Sequence, residues 1–389
     1  MIKNILKNIL FKLVSFRWII VIRRSHKKEI KQSCSALKFQ LNKLSDEKAF
    51  VDKWKVVYPK VDTMYYRYYS HFIGEDINIL SDDILHLIIE PLLNNPTFFY
   101  VYSDKNMYGK ILPKELQPNC LLRKIGADYM DADYHLLEVN DESLAKQISA
   151  NEEVISNKKF IIKPTVESMG GSGVRLFSYN KIEKIWCSND GLKFDYELLE
   201  KYYKRDFVIQ ECVETSDFVK QFNPESFSTF RVVTYRSVKD DVVQILGMYM
   251  RVGPKGSFKD NIHSGGYAVP IDSDGRMYNY AIDENRMRYS VVNGIDLRHK
   301  EYIVPQFTEI KKVVTNVATT MTNHRLISFD VILDKNNIPK IIEFNLKYQT
   351  ITTIQTTIGP FFGNYTDEII EYCQKHLDSI TYLEIFRKK

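Results

Sequence analysis

The chain lacks several features at once, and each absence narrows what it can be. Its five cysteines, Cys34, Cys120, Cys187, Cys212 and Cys373, are odd in number, widely spaced and never form a C-x-x-C pair. That disfavours a disulfide framework or a zinc knuckle and points to the reducing cytoplasm. No repeat with a period of tens of residues is present, and no low-complexity tract, which sets aside solenoids and disordered arrays. No apolar run approaches a membrane span, because Lys7, Lys12 and Arg17 interrupt the N-terminal stretch. No small-residue cleavage site follows it, which argues against a signal peptide. Two common nucleotide fingerprints are missing as well: no G-K-[ST] closes a Walker A loop, and no G-x-G-x-x-G occurs.

What remains is globular. The 389 residues suffice for two or three packed units, and 44% hydrophobic with 26% charged residues is ordinary for a folded enzyme. The 25 Tyr and 22 Phe predict an aromatic-rich core, with stacking on a sugar-sized substrate as the alternative use. The net charge of +5 is unevenly spread: residues 1–32 carry nine Lys/Arg against Glu29 alone, which leaves the rest of the chain mildly acidic. A basic nucleic-acid binder is thereby set aside.

The arm itself is patterned. At 100° per residue Lys3, Asn4, Lys7, Asn8, Lys12 and Ser15 share one half of a helix, and Ile2, Ile5, Leu6, Ile9, Leu13 and Phe16 share the other. Such a helix suits an anionic membrane interface, peripheral on its cytoplasmic side, or a docking surface on the protein's own core or a partner. Beyond it, 40–72 reads as helical, 78–95 as a helix broken at Pro91, 96–104 as a short strand and 104–116 as a helix or helical turn. Residues 141–158, 305–323 and 365–377 read as helices. Strands are expected at 159–163, 174–178, 206–213, 228–237, 242–251, 327–333 and 339–345. This mixture predicts an α+β fold with an antiparallel-rich core.

Two motifs carry chemistry. In KFIIKPTVESMGGSGVRLF a strand delivers Lys163 beside a loop holding Gly170, Gly171 and Gly173. Glycines let backbone N–H groups approach an anion, and the lysine adds a point charge for phosphate oxygens. In LISFDVILDKNNIPKIIEFN two apolar runs flank Asp334-Lys335-Asn336-Asn337. A two-residue turn at Asn336-Asn337 sets Asp330 opposite Glu343, with Asn345 on the same face. Two carboxylates and an amide oxygen among Phe329, Val331, Ile342 and Phe344 are a donor set for a hard cation such as Mg²⁺.

In this order the two motifs resemble the ATP-grasp superfamily over roughly residues 100–360, nearest to its sugar-transfer-associated group. The resemblance implies two α+β subdomains clasping ATP, at 104–215 and 216–389, behind a helical N-terminal region at 33–103 and the arm at 1–32. It implies that Lys105 of the Asp104-Lys105 pair and Lys163 reach phosphates, and that Ser168 to Gly173 close over ATP. Gln210, Glu211 and Val213 of FVIQECVETSD would flank adenine, and Asp217, or else Glu214, would hold the ribose. Asp330, Glu343 and Asn345 would bind Mg²⁺. Arg231, Arg251, Asn261 and Gly265-Gly266 resemble the series that faces the γ-phosphate and an acyl phosphate in amino-acid ligases, with His263 bracing that loop or touching substrate. The implied activity is ADP-forming amide ligation through an acyl phosphate, attaching an amino acid or amine to a sugar acid in surface-polysaccharide (capsule or O-antigen) synthesis. A kinase acting on a glycan precursor and a non-catalytic nucleotide-binding scaffold are the alternatives. The first 95 residues show no glycine-punctuated βαβ pattern, so they depart from many ATP-grasp N-terminal domains.

Overall fold

The computed structural model describes residues 2–166 and 172–380, with the backbone alone for residues 2–16, 18, 153 and 155. Two seven-stranded sheets, antiparallel throughout, organise the fold. The first contains β1 (Cys120–Ile125), β2 (Asp128–Met130), β3 (Leu136–Leu137), β4 (Lys159–Pro164), β5 (Arg175–Asn180), β6 (Ile185–Ser188) and β7 (Phe207–Glu211), in the order β3-β2-β1-β7-β4-β5-β6. The second contains β8 (Phe230–Arg236), β9 (Val243–Val252), β10 (Tyr267–Ile271), β11 (Ala281–Ile282) and β12 (Arg288–Tyr289). After a short ribbon, β13 (Val291–Val292) with β14 (Ile295–Asp296), it is completed by β15 (Leu326–Leu333) and β16 (Pro339–Asn345), giving β12-β11-β10-β9-β8-β15-β16.

Period-two alternation divides the second sheet between two cores. Phe230, Val232, Met248, Met250, Phe329 and Val331 face the amphipathic helix Phe307–Thr320 through Ile310, Val314 and Val317. On the other face, Val233, Tyr235 and Tyr249 pack with the N-terminal helices through Tyr65, Tyr68 and Tyr69. Arg231 and Arg251 alternate with the first set of residues and therefore belong to this second face. The first sheet has its own core, in which Phe160, Phe177 and Phe194 cluster with ring centroids 4.9–5.4 Å apart. The abundant aromatics thus serve packing.

Three sequence expectations are corrected. Residues 96–103 form a helix, Pro96–Ser103, where the β-prone aromatics predict a strand. Asn95 caps it by accepting the Thr97 N–H at 3.0 Å, Pro96 occupies the first turn, and Phe98 meets Tyr102 at i+4. Pro91 does not break its helix. The turn Leu85–Ile89 just before it is widened to π geometry, and that widening accommodates the missing N–H. The hairpin turn spans three residues, not two: Asp334 N–H bonds Ile338 O and Asn337 N–H bonds Asp334 O, with Asn337 at φ 60°.

The arm is one helix, Ile2–Leu37. The amphipathic side chains of residues 2–16 lie outside the described side chains. Further along, Ile22 and Ile30 are buried in the N-terminal core, Arg23 pairs with Asp83 at 2.8 Å and Lys27 with Asp62 at 2.7 Å. This half of the arm is docked on the protein itself. No helix among the described residues is long and apolar enough to cross a membrane.

Candidate active site

The site grows from one register. Asp330 on β15 lies opposite Glu343 on β16 and, on its other side, opposite Arg231 on β8. The three-residue turn alone would set Asp330 out of step by one residue. A bulge that leaves Ile342 unpaired restores the pairing, so Phe329 meets Phe344 and Ser328 meets Asn345. Tyr108 fixes the bulged strand: its ring stacks on Phe344 at 4.5 Å, and its hydroxyl accepts the Phe344 N–H at 3.3 Å.

Asp330 is 3% exposed and accepts from two guanidiniums. Arg231 binds it through Nε and through Nη2 at 3.2 Å, and Arg251 Nη2 binds it at 3.0 Å. Burial alone would raise its pKa, but Arg231 and then Arg251 prevail and hold the carboxyl below the usual range. Arg251 is in turn braced by Thr229 Oγ1 at 2.8 Å and by Asp260 at 3.2 Å, and Asp260 accepts the Thr229 hydroxyl at 2.6 Å. Glu343 is about one third exposed and pairs with Lys105 at 3.1 Å. Lys105 sits in a turn capped by Asp104, which accepts the Asn106 N–H at 2.9 Å.

Lys163 on β4 is 8% exposed and has no carboxylate partner among the described residues. Burial, and then the charge of Lys105, push its ammonium down to about 8, with Glu343 pulling the other way. Among the described residues the cluster holds four cations, Lys105, Lys163, Arg231 and Arg251, against three carboxylates, Asp260, Asp330 and Glu343. A buried cationic excess calls for an anion.

The donors for a metal are Asp330, Glu343 and the amide of Asn345. No cluster of three His, Cys, Asp or Glu among the described residues could hold a metal, so the set depends on that amide. Asn345 Nδ2 is buried without a partner. Among the described residues no hydrogen bond then fixes which end of the amide faces the carboxylates, and turning it would present oxygen. Hard oxygen donors with open lone pairs fit Mg²⁺.

The other residues singled out by sequence fall in two groups. Asn261 and the glycines shape one loop. Asn261 accepts the His263 N–H at 3.1 Å, Gly265 has φ +86°, and a Cβ on Gly266 would meet the backbone oxygens of Asn261 and Val252 at 2.8 and 2.9 Å. His263 is exposed, 3.6 Å from Glu284. On β7, Gln210 and Glu211 are buried. The Glu211 carboxylate accepts from Asn119 at 2.8 and 3.0 Å, and Val213 follows, also buried. Asp217 opens a short helix with a fully exposed side chain 3.8 Å from Lys220, while Glu214 bonds the same lysine at 2.9 Å. Gly173 has φ +73° and its carbonyl accepts the Tyr203 hydroxyl at 3.1 Å. Ser168, Gly170 and Gly171 lie outside the described residues.

Sequence reasoning missed Tyr108, Thr229 and Asp260. Asp260 was within reach, since it directly precedes Asn261 in DNIHSGG. Thr229 and Tyr108 act only through cross-strand contacts that no local spacing reveals.

A model described as "Sugar-transfer associated ATP-grasp" matches residues 89–362. No curated protein matches the chain. Among solved structures, D-cycloserine synthetase DcsG is similar at 10% identity and TM-score 0.41, over 70% of this chain and 71% of that one. D-alanine–D-alanine ligase from Bacillus anthracis, complexed with ATP, is similar at 13% identity and TM-score 0.36, over 72% and 68%. The ATP-grasp ligase PsnB, complexed with a phosphomimetic variant of its minimal precursor, Mg and ADP, is similar at 12% identity and TM-score 0.37, over 85% and 74%. Coverage of other solved structures falls to 46% of their length, as for N5-carboxyaminoimidazole synthetase from Staphylococcus aureus.

Proposed function

The chain belongs to the sugar-transfer associated ATP-grasp family, and from that premise we propose that it is an ATP-dependent carboxylate–amine ligase. The observation that carries this reading is the cluster in which Asp330 and Glu343 face each other beneath Lys105, Lys163, Arg231 and Arg251. It pairs a hard-cation donor set with a cationic excess suited to a triphosphate.

In this reading Lys105 and Lys163 hold phosphate oxygens, with the base edge flanked by Gln210, Glu211 and Val213 and the ribose at Asp217 or else Glu214. Asp330, Glu343 and Asn345 would hold magnesium, which would supply charge neutralisation to the triphosphate. Arg231 steadies the γ-phosphate, and Arg251 orients the substrate carboxylate. A carboxylate oxygen attacks the γ-phosphorus, the bond to the bridging oxygen breaks, and ADP leaves an acyl phosphate. The amine nitrogen then attacks the acyl carbon, phosphate departs, and the amine proton passes to phosphate or water. Asn261 and Gly265-Gly266 keep the loop close to the acyl phosphate, braced by His263.

The family description supports sugar-linked substrates, and we assign the product to surface-polysaccharide synthesis, with the arm as a contact to an anionic membrane surface. The test screens amino acids against uronic acids and nucleotide-linked uronates for ADP and phosphate release. Release that requires both a carboxylate and an amine supports ligation. Release driven by a sugar hydroxyl alone, with a phosphorylated sugar as product, replaces it with a kinase.

A further inference from the structure

A cavity of about 260 Å³ lies between the helix Ile2–Leu37, the helix Thr63–Ile73 and the turn at 283–286. Tyr68 and Tyr69 in its wall pack in the same core as Val233, Tyr235 and Tyr249. The cavity is therefore on the face of the second sheet that carries Arg231 and Arg251. His263 reaches its wall from the loop joining the Arg251 strand to β10.

Two buried charges of opposite sign line this space. Asp82 is 7% exposed and accepts the Tyr69 hydroxyl at 2.6 Å. Arg286 is also 7% exposed. It gives Nη1–H to the Asp283 carbonyl at 3.2 Å, while its Nε–H is buried without an acceptor. Neither has an ion-pair partner among the described residues, although both line the same cavity. His26 is on the same wall; burial, and also the neighbouring His86, hold its pKa below the ordinary value despite Asp82. Its Nδ1 is a further buried atom with no partner.

The rest of the wall is largely polar, with Glu29 and Glu284 at its exposed edge. Tyr68 bonds Ser33 at 2.9 Å, and Ser33 bonds the Asn285 carbonyl at 2.8 Å, which ties the arm to the turn that bears Arg286. Arg286 itself is held at φ +68°, a conformation uncommon for a residue with a side chain. An unpaired buried charge is costly to maintain, and one ligand bearing both signs would relieve both.

We propose that this cavity binds a small zwitterion of the α-amino-acid class as the amine substrate, its carboxylate on Arg286 and its ammonium on Asp82. The assignment rests on the ligase reading above and adds to it where the amino acid binds and which residues select it. A guanidinium fork matches a carboxylate, and Asp82 accepts from an ammonium.

The test is calorimetric titration of the full chain, with magnesium and a non-hydrolysable ATP analogue present, using free α-amino acids of both hands as probes. The tightest binder is then compared with its methyl ester and its N-acetyl derivative. Each derivative removes one charge and is expected to bind about tenfold more weakly or worse. Arg286→Met should weaken the free acid similarly while barely changing the ester, with nucleotide binding preserved. Because the derivative series uses the unaltered chain, it decides the matter even where that variant fails to fold. Nucleotide binding with no amino acid bound at millimolar concentration overturns the proposal and leaves the ligase reading standing. So does an ester or N-acetyl derivative that binds as tightly as the free acid. Amino-acid binding without any nucleotide binding supports the cavity and overturns the ligase reading.

Discussion

Asp330 and Glu343 are paired across one hairpin, yet the structure gives them different weights in the protein without ligand. Asp330 is 3% exposed and neutralises two guanidiniums, one of which has no other carboxylate within bonding distance among the described residues. Asp330→Asn leaves Arg231 buried and uncompensated, a loss that costs about 3–5 kcal/mol when a buried pair is broken. The asparagine oxygen still accepts one bond, and Arg251 keeps Asp260 at 3.2 Å, so the expected loss is at the low end, about 3 kcal/mol. Glu343 is about one third exposed and has Lys105 as its ion-pair partner. Water screens such a pair, so Glu343→Gln should cost about 1 kcal/mol or less. Urea unfolding of both variants, followed by tryptophan fluorescence and by circular dichroism, measures the difference. Equal losses, or a larger loss for Glu343→Gln, would refute the division of roles drawn from the burial and the pairing.

Three further outcomes follow from the same geometry. Lys163 has its pKa lowered to about 8 by burial and by Lys105, so the unfolded chain holds this proton more tightly. Its contribution to stability therefore rises with pH between about 8 and the free-lysine value of about 10.4, and a triphosphate beside it should restore the proton. Calorimetry of ATP binding at about pH 8.5 in buffers of different ionisation enthalpy should show proton uptake that vanishes in Lys163→Met; no uptake in the unaltered chain would contradict the lysine's placement. Gly266→Ala puts a Cβ 2.8 Å from the Asn261 oxygen, so it should cost about 1–3 kcal/mol in thermal unfolding and impair turnover, and wild-type behaviour would show that the loop gives way freely. A chain beginning at Ser33 loses Ile22, Ile30 and the Arg23 partner of Asp83. It should unfold several kcal/mol more easily, whereas a chain that keeps its stability would mean that the arm is not part of the core.

Much of this was legible in the sequence, for reasons that differ by element. The strands of the second sheet alternate between two cores, and that alternation is written in FRVVTYR and LISFDVIL. The facing of Asp330 and Glu343 was also legible, although the turn assumed for it was one residue too short. The error was harmless because the bulge at Ile342 offsets the extra turn residue, a compensation that local sequence does not display. Residues 96–103 misled because their β-prone aromatics were weighed above the Asn95 cap and the proline that follows it. The arm's hydrophobic pattern was visible too, but the partners of Arg23 and Lys27 lie tens of residues away, at Asp83 and Asp62. Long-range pairing likewise hid Thr229 and Asp260 behind Arg251, and long-range packing hid the cavity that Asp82 shares with Arg286.

In the proposed site, one face of the β15–β16 hairpin, together with Lys105 and Lys163, holds magnesium and ATP. Equilibrium titration of the full chain with ATP, with and without Mg²⁺, puts this to the test. Binding should be tighter with magnesium, should lose that dependence in Glu343→Gln and should weaken about tenfold or more in Lys163→Met. ATP binding that ignores magnesium, or that both variants leave unchanged, would contradict it.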